Sequence, residues 1–274
     1  MKTAFGFLVT ALALVAAVPA GGAAADGGGL ATVVLGGEGV RAPDGKVRYV
    51  ALSTGRQTIL SVVRSRGGEV ARWRVIPGNF GVPLVAVDGT TDGVSRDGRI
   101  LVLATLPGES RSTQFALVET KTLRLKRITL PGSWSFDAIS PDATTLYLVE
   151  YSGTGPSASY RVRAYDVAAG RLLRAPIVDR TVGAKLMIGQ AVTRATTRDG
   201  RWAYTLYAKP QYPFVHALDS VRRKALCIDL PLDLSKVKQM ELRLSLRGGR
   251  MLEVRKDGQT VAAVDTRTFE VHRH

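Results

Sequence analysis

From about residue 37 to the end, the chain is a succession of short runs in which apolar and polar residues alternate, as in Thr145-Leu-Tyr-Leu-Val149 and Tyr160-Arg-Val-Arg-Ala-Tyr165. Successive side chains on a strand point to opposite faces, so a period of two predicts half-buried β-strands. Between the runs stand glycine-rich turns. One kind recurs: Pro43-Asp-Gly-Lys46, Arg96-Asp-Gly-Arg99, Pro141-Asp-Ala-Thr144, Arg198-Asp-Gly-Arg201 and the degraded Arg247-Gly-Gly-Arg250, placed 45 to 57 residues apart. Asp-Gly and Gly-Gly tolerate the positive backbone dihedrals of a tight hairpin, so each marks a reversal between strands. A second marker keeps step, an acid that closes a later strand at Glu119, Asp166, Asp219 and Asp265; the first copy, ending in Arg64-Ser-Arg-Gly-Gly68, lacks it.

Strand-rich units repeating about every fifty residues are the signature of propeller blades. The expected fold is all-β, a β-propeller of about five four-stranded blades over residues 37–274. The expected innermost strands are Gly37–Ala42, Thr91–Arg96, Ser135–Ser140, Ala191–Thr197 and Glu241–Leu246. Leu30–Leu35 is left over and is read as a closing strand for the last blade. Ser140-Pro-Asp142, Leu146-Tyr-Leu-Val149 and Asp166-Val-Ala-Ala-Gly170 resemble the repeats of the YVTN and TolB-like β-propellers of exported bacterial proteins. The resemblance covers roughly residues 37–272 and implies a fold; it supplies no catalytic residues, because propellers host binding, scaffolding and catalysis alike.

The amino end reads differently. Lys2, an apolar run from Phe5 to Val18, then Pro19 and Ala23-Ala-Ala25 have the charge, length and small-residue exit of a secretory signal cleaved after Ala25. The run is short for a membrane span. Residues 26–36 are a flexible entry, and the mature protein is expected to be secreted or periplasmic, monomeric and without a transmembrane segment.

Composition then narrows the chemistry. The formal net charge is +15, or +14 once Lys2 is removed. An exported basic protein is attracted to anionic glycans or polymers, although Arg64, Arg66, Arg72, Arg74, Arg124, Lys126 and Arg127 are spread along strand exteriors and also suit a solvated surface. Nothing points to a specific nucleic acid. Cys227 is the one cysteine, which rules out an intramolecular disulfide. The histidines are His216, His272 and His274, too few and too badly placed for a three-histidine metal site or a Ser-His-Asp set; His216 is read as a strand residue with its hydrogen bonds met.

Two sets of residues remain as candidates. Aligned on the turns, the innermost strands place Gly39, Asp92, Asp137, Arg194 and Arg243 in one column. A column charged in four of five blades should line a water-filled axis, where Asp92, Asp137, Arg194 and Arg243 either pair with one another or hold a polar ligand. No cofactor is required, calcium on the two carboxylates being the weak exception. The second set lies on the longer loops opposite the Asp-Gly turns: the rings of Trp134, Tyr151, Tyr207 and Tyr212 beside Arg111, Arg180, Lys185 and Lys209. Rings beside cations suit a sugar, an anionic polymer or a protein partner. The sequence therefore predicts a non-catalytic binding or interaction module. Its rivals are a propeller hydrolase acting on carbohydrate or lactone substrates through Asp92 and Asp137, whose arginine neighbours leave no evident proton donor, and an electrostatic binder of anionic polymers.

Overall fold

A computed structural model describes residues 33–105, 111–153, 159–179, 187–208, 213–232 and 241–273. These form twenty-one strands, assembled antiparallel into five sheets. The first blade comprises β2 (Val40–Arg41), β3 (Val47–Ser53), β4 (Gln57–Arg64) and β5 (Val70–Pro77). The second adds β1 (Val33–Val34) to β6 (Phe80–Pro83), β7 (Ile100–Thr105), β8 (Ser112–Glu119) and β9 (Leu125–Pro131). The third has β10 (Trp134–Ile139), β11 (Thr145–Ser152), β12 (Ser159–Asp166) and β13 (Arg171–Ile177). The fourth has β14 (Gln190–Thr196), β15 (Trp202–Ala208), β16 (Phe214–Asp219) and β17 (Lys224–Asp229). The fifth has β18 (Leu242–Arg247), β19 (Met251–Lys256), β20 (Gln259–Asp265) and β21 (Val271–Arg273). This is the expected five-bladed propeller.

The repeated markers have a common physical role. The aspartate of each Asp-Gly-type turn accepts the amide two residues on, as Asp44 does from Lys46, Asp97 from Arg99, Asp142 from Thr144 and Asp199 from Arg201. In blades two to four a hydroxyl locks the turn from behind: Ser95, Ser140 and Thr197 each donate to that aspartate and accept the amide of the following strand's first residues. The turn residue after the aspartate has positive φ in all four, and in the third copy it is Ala143, at φ 59°. A second stitch ties the two hairpins of a blade together. The amide of Ser65, Thr120, Val167, Ser220 or Thr266 donates to the carbonyl of Lys46, Arg99, Thr144, Arg201 or Arg250, at 2.8 to 3.0 Å. The turn after the third strand therefore lies beside the turn after the first strand in every blade.

Between blades, buried apolar clusters join the first to the second, the second to the third, the third to the fourth and the fourth to the fifth. Among the described residues no such cluster joins the fifth to the first. In blade one Leu52, Val70, Trp73 and Val75 stay exposed, Trp73 by 65%. Much of the arginine and lysine on the outer strands also holds blades together. Arg72 and Arg74 of β5 donate to the carbonyls of Thr120 and Leu123 in the second blade. Lys126 of β9 reaches the Val167 carbonyl in the third blade, and Arg127 reaches back to Pro77 in the first. These four exposed cations thus also tie one blade to the backbone of the next.

Two expectations are corrected. Val33 and Val34 do not close the last blade; they pair with Pro83 and Val82 of the second. Gly81 permits this approach, since a Cβ there would sit 2.7 Å from the Val33 side chain. The segment from Pro77 to Gly89 is also more than a connecting loop. Its Phe80–Pro83 stretch is a fully buried strand, which the flanking glycines and prolines disguise. The chain then leaves the blade: the amides of Val87 and Asp88 donate to the carbonyls of Ala191 and Val192 in β14, at 3.0 and 3.1 Å. It rejoins its own blade at Gly93, whose carbonyl accepts the Val102 amide. Residues 84–91 therefore bridge the second and fourth blades through the centre of the ring.

Candidate functional site

Three of the four charged column residues come together. Asp137 of β10 and Arg194 of β14 form an ion pair whose side chains are each 2% exposed. Arg194 also donates to the Asp137 carbonyl and to Thr205 Oγ1. Burial by itself would lower the pKa of the guanidinium, but the Asp137 and Asp92 carboxyls raise it above its ordinary value. Both side chains are closed off from bulk solvent, so they do not line an open axis as expected. Asp137 Oδ2 has no hydrogen-bond partner among the described residues, so the pair is not fully satisfied. Arg243 stands apart: it is exposed on β18, and its guanidinium donates to the carbonyl of Leu242.

Asp92 completes the group from the second blade. Its Oδ1 accepts the Gly93 amide at 2.6 Å. Burial raises its pKa; Arg194 and the Gly93 amide pull the other way, Asp137 reinforces the rise, and the net shift is upward. The expected depression by the arginines therefore does not occur, because removal from water outweighs their attraction. Asp92 is also the member that a ligand can reach. It lies at the inner end of a cavity of about 300 Å³ at the Asp-Gly end of the axis. The first four blades line this cavity: Pro43 from the first turn, Val94 and Arg96 from the second blade, Ala138 and Ile139 from β10, and Thr196 to Arg198, Gly200 and Ala203 from the fourth blade. The turns are tightly set, a Cβ on Gly200 falling 3.0 Å from Cβ of Arg96. Arg96 and Arg198 are exposed at the mouth, and Arg96 leans toward the Pro43 carbonyl at 3.4 Å.

His216 lies in the same buried layer, cross-strand from Thr205. Burial lowers its pKa, the Asp137 and Asp179 carboxylates opposing and Arg194 assisting. The imidazole is therefore neutral, and its Nε2 has no hydrogen-bond partner among the described residues, contrary to the expectation of a satisfied strand histidine. Cys227, paired opposite His216, is half-buried, and its amide donates to Asp179 Oδ2 at 2.7 Å. Among the described residues no three His, Cys, Asp or Glu side chains gather in a metal-holding group.

On the opposite end of the ring the rings are largely packed. Trp134 is 9% exposed and its Nε1 donates to the Pro131 carbonyl. Tyr207 is 5% exposed, between Tyr160 at 5.4 Å and Phe214 at 5.3 Å centroid distance. Tyr151 is half-buried against Tyr160, its hydroxyl 3.1 Å from Ser135 Oγ. Arg111 is exposed. Arg180, Lys185, Lys209 and Tyr212 lie outside the described residues. The cavity, by contrast, was missed as a site. Arg96 and Arg198 each precede a turn aspartate, and that shared position in the repeat was the one available signal.

The sequence matches no protein-family model and no curated protein. Its structure is similar to hydrazine synthase of Kuenenia stuttgartiensis, with a TM-score of 0.50, 15% identity, and 93% of this chain covering 68% of that one. It is similar to an oligogalacturonate lyase solved in complex with manganese, with a TM-score of 0.52, 12% identity, and coverage of 86% of this chain and 63% of that one. TolB from Acinetobacter baumannii also matches, with a TM-score of 0.41, 15% identity, and coverage of 73% of this chain and 44% of that one. The chain thus spans about two thirds or less of these proteins' lengths. At such identities the likeness is one of fold, that of a β-propeller, and it does not decide between binding and catalysis.

Proposed function

We propose that the protein is an exported, non-catalytic binding module that takes a small polar ligand in the axial cavity at the Asp-Gly end of the ring. The observation that carries this reading is the placement of Asp92 at the inner end of the cavity, with Arg96 and Arg198 at its mouth. A rigid scaffold presenting a few converging polar groups between apolar walls is the usual form of a small-molecule site. Export rests on Lys2, the Phe5 to Val18 run and Ala23-Ala-Ala25.

The test compares what wild type and Thr196→Trp retain from the native envelope fraction. Thr196 is exposed and lines the cavity, so an indole there blocks the space without touching the core. Retention by wild type and loss in the variant supports the reading; equal retention by both ends it. Binding that survives the variant but disappears at high salt would favour an anionic polymer on the outer surface.

The hydrolase reading has one observation in its favour. A carboxyl raised by burial beside an ion-paired carboxylate is how glycosidic sites separate acid from base. Under that reading Asp92→Asn abolishes turnover of a carbohydrate or lactone substrate by at least about a hundredfold.

A further inference from the structure

We infer that the axial cavity recognises the carboxylate group of a small organic acid, with Asp92 binding it in protonated form as a hydrogen-bond donor and Arg96 and Arg198 supplying the countercharge. This rests on the proposed ligand site and specifies its chemistry. The argument begins with charge. Two arginines, Arg96 and Arg198, and one carboxylic acid, Asp92, are the charged residues that line the cavity. The next layer inward, the Arg194–Asp137 pair, is neutral as a unit. With Asp92 ionised the cavity carries a single excess positive charge; with Asp92 protonated it carries two. An entering anion therefore favours the protonated form.

The surroundings of Asp92 act in the same direction. The charged groups that act on Asp92 are Arg194 of β14, which lowers its pKa, and Asp137 of β10, which raises it; Arg96 and Arg198 line the same cavity. Arg194 is already committed to Asp137 and Thr205, so its attraction does not hold Asp92 ionised against burial. One Asp92 oxygen accepts the Gly93 amide, so the other is the one that would carry the proton. A carboxylic acid donating to a carboxylate forms a short charge-assisted hydrogen bond, and guanidinium groups match the planar carboxylate. The remaining wall decides between an organic acid and inorganic phosphate. Val94, Ile139 and Ala203 are apolar, so they favour an anion with a hydrocarbon body.

The linkage has a definite sign. If binding requires the proton on Asp92, affinity is highest below the pKa of Asp92 in the free protein and falls as pH rises through it. A zwitterion using an ionised Asp92 as acceptor would give the reverse.

The experiment titrates the full-length protein with benzoate, benzamide and inorganic phosphate between about pH 5.5 and 8, where benzoate remains ionised. Benzoate should bind more weakly as the pH rises, and benzamide and phosphate should bind much less at every pH. Asp92→Asn, which keeps a donor and removes the titration, should bind benzoate with a flat pH profile. Arg198→Ala should weaken benzoate about tenfold throughout. Benzamide or phosphate binding as well as benzoate overturns the inference, as do affinity that rises with pH and a benzoate profile unchanged in Asp92→Asn. If benzoate fails while Thr196→Trp still abolishes capture of envelope material, the ligand class falls and the site stands; if Thr196→Trp changes nothing, both fall.

Discussion

Asp92, Asp137 and Arg194 occupy equivalent positions in three blades yet behave as three different groups, because what surrounds each differs. Asp137 and Arg194 are sealed from water and hold each other; Asp92 faces a cavity and is raised by burial. A buried ion pair is costly to break from one side, since the remaining charge has neither partner nor solvent. Arg194→Met should therefore destabilise the protein by about 3–5 kcal/mol, measured by denaturant unfolding. The double variant Asp137→Leu with Arg194→Met removes both charges and should recover most of that loss, since apolar replacement of a buried pair is often neutral. A double variant as unstable as the single would show that Arg194 acts mainly through packing or through Thr205. The column itself was legible in the sequence as charges in register. Which members pair was not, because that depends on the distance between strands 57 residues apart.

Among elements, the turns explain why the repeat persists without any sharing of chemistry. Ser140 is 3% exposed; its Oγ donates to Asp142 at 2.7 Å and accepts the Thr145 amide at 2.9 Å. Ser140→Ala leaves a buried amide without its partner and should cost about 1–2 kcal/mol. That corresponds to a fall of roughly 2–8 °C in melting temperature for a domain of this size. No change would mean that the aspartate alone holds the turn. The turn and strand pattern could be read from residue types, because the forces that make a hairpin act within a few positions. β6 escaped the same reading: Phe80-Gly-Val-Pro83 is flanked by Pro77 and Gly78, and its strand character comes from β1 on one side and β7 on the other.

For the molecule as a whole, the ring is held by unequal seams. The fourth and fifth blades share the cluster that includes Val192, Leu206, Val215, Leu242, Leu244 and Val254. A chain ending at residue 240 would expose the blade-four half of that cluster and should partition to the insoluble fraction on expression, where the full chain stays soluble. A soluble, cooperatively melting product would show that blade four needs no cover. The alternation of residues, the turn chemistry and the fifty-residue period were enough to determine that the chain is all-β and forms five blades, since strand and hairpin preferences are local. The chain crossing the axis at residues 84–91, the pairing of Val33–Val34 with the second blade and the cavity mouth formed by Arg96 and Arg198 were decided by tertiary structure. Each depends on groups that are far apart in sequence and meet only when the blades pack together.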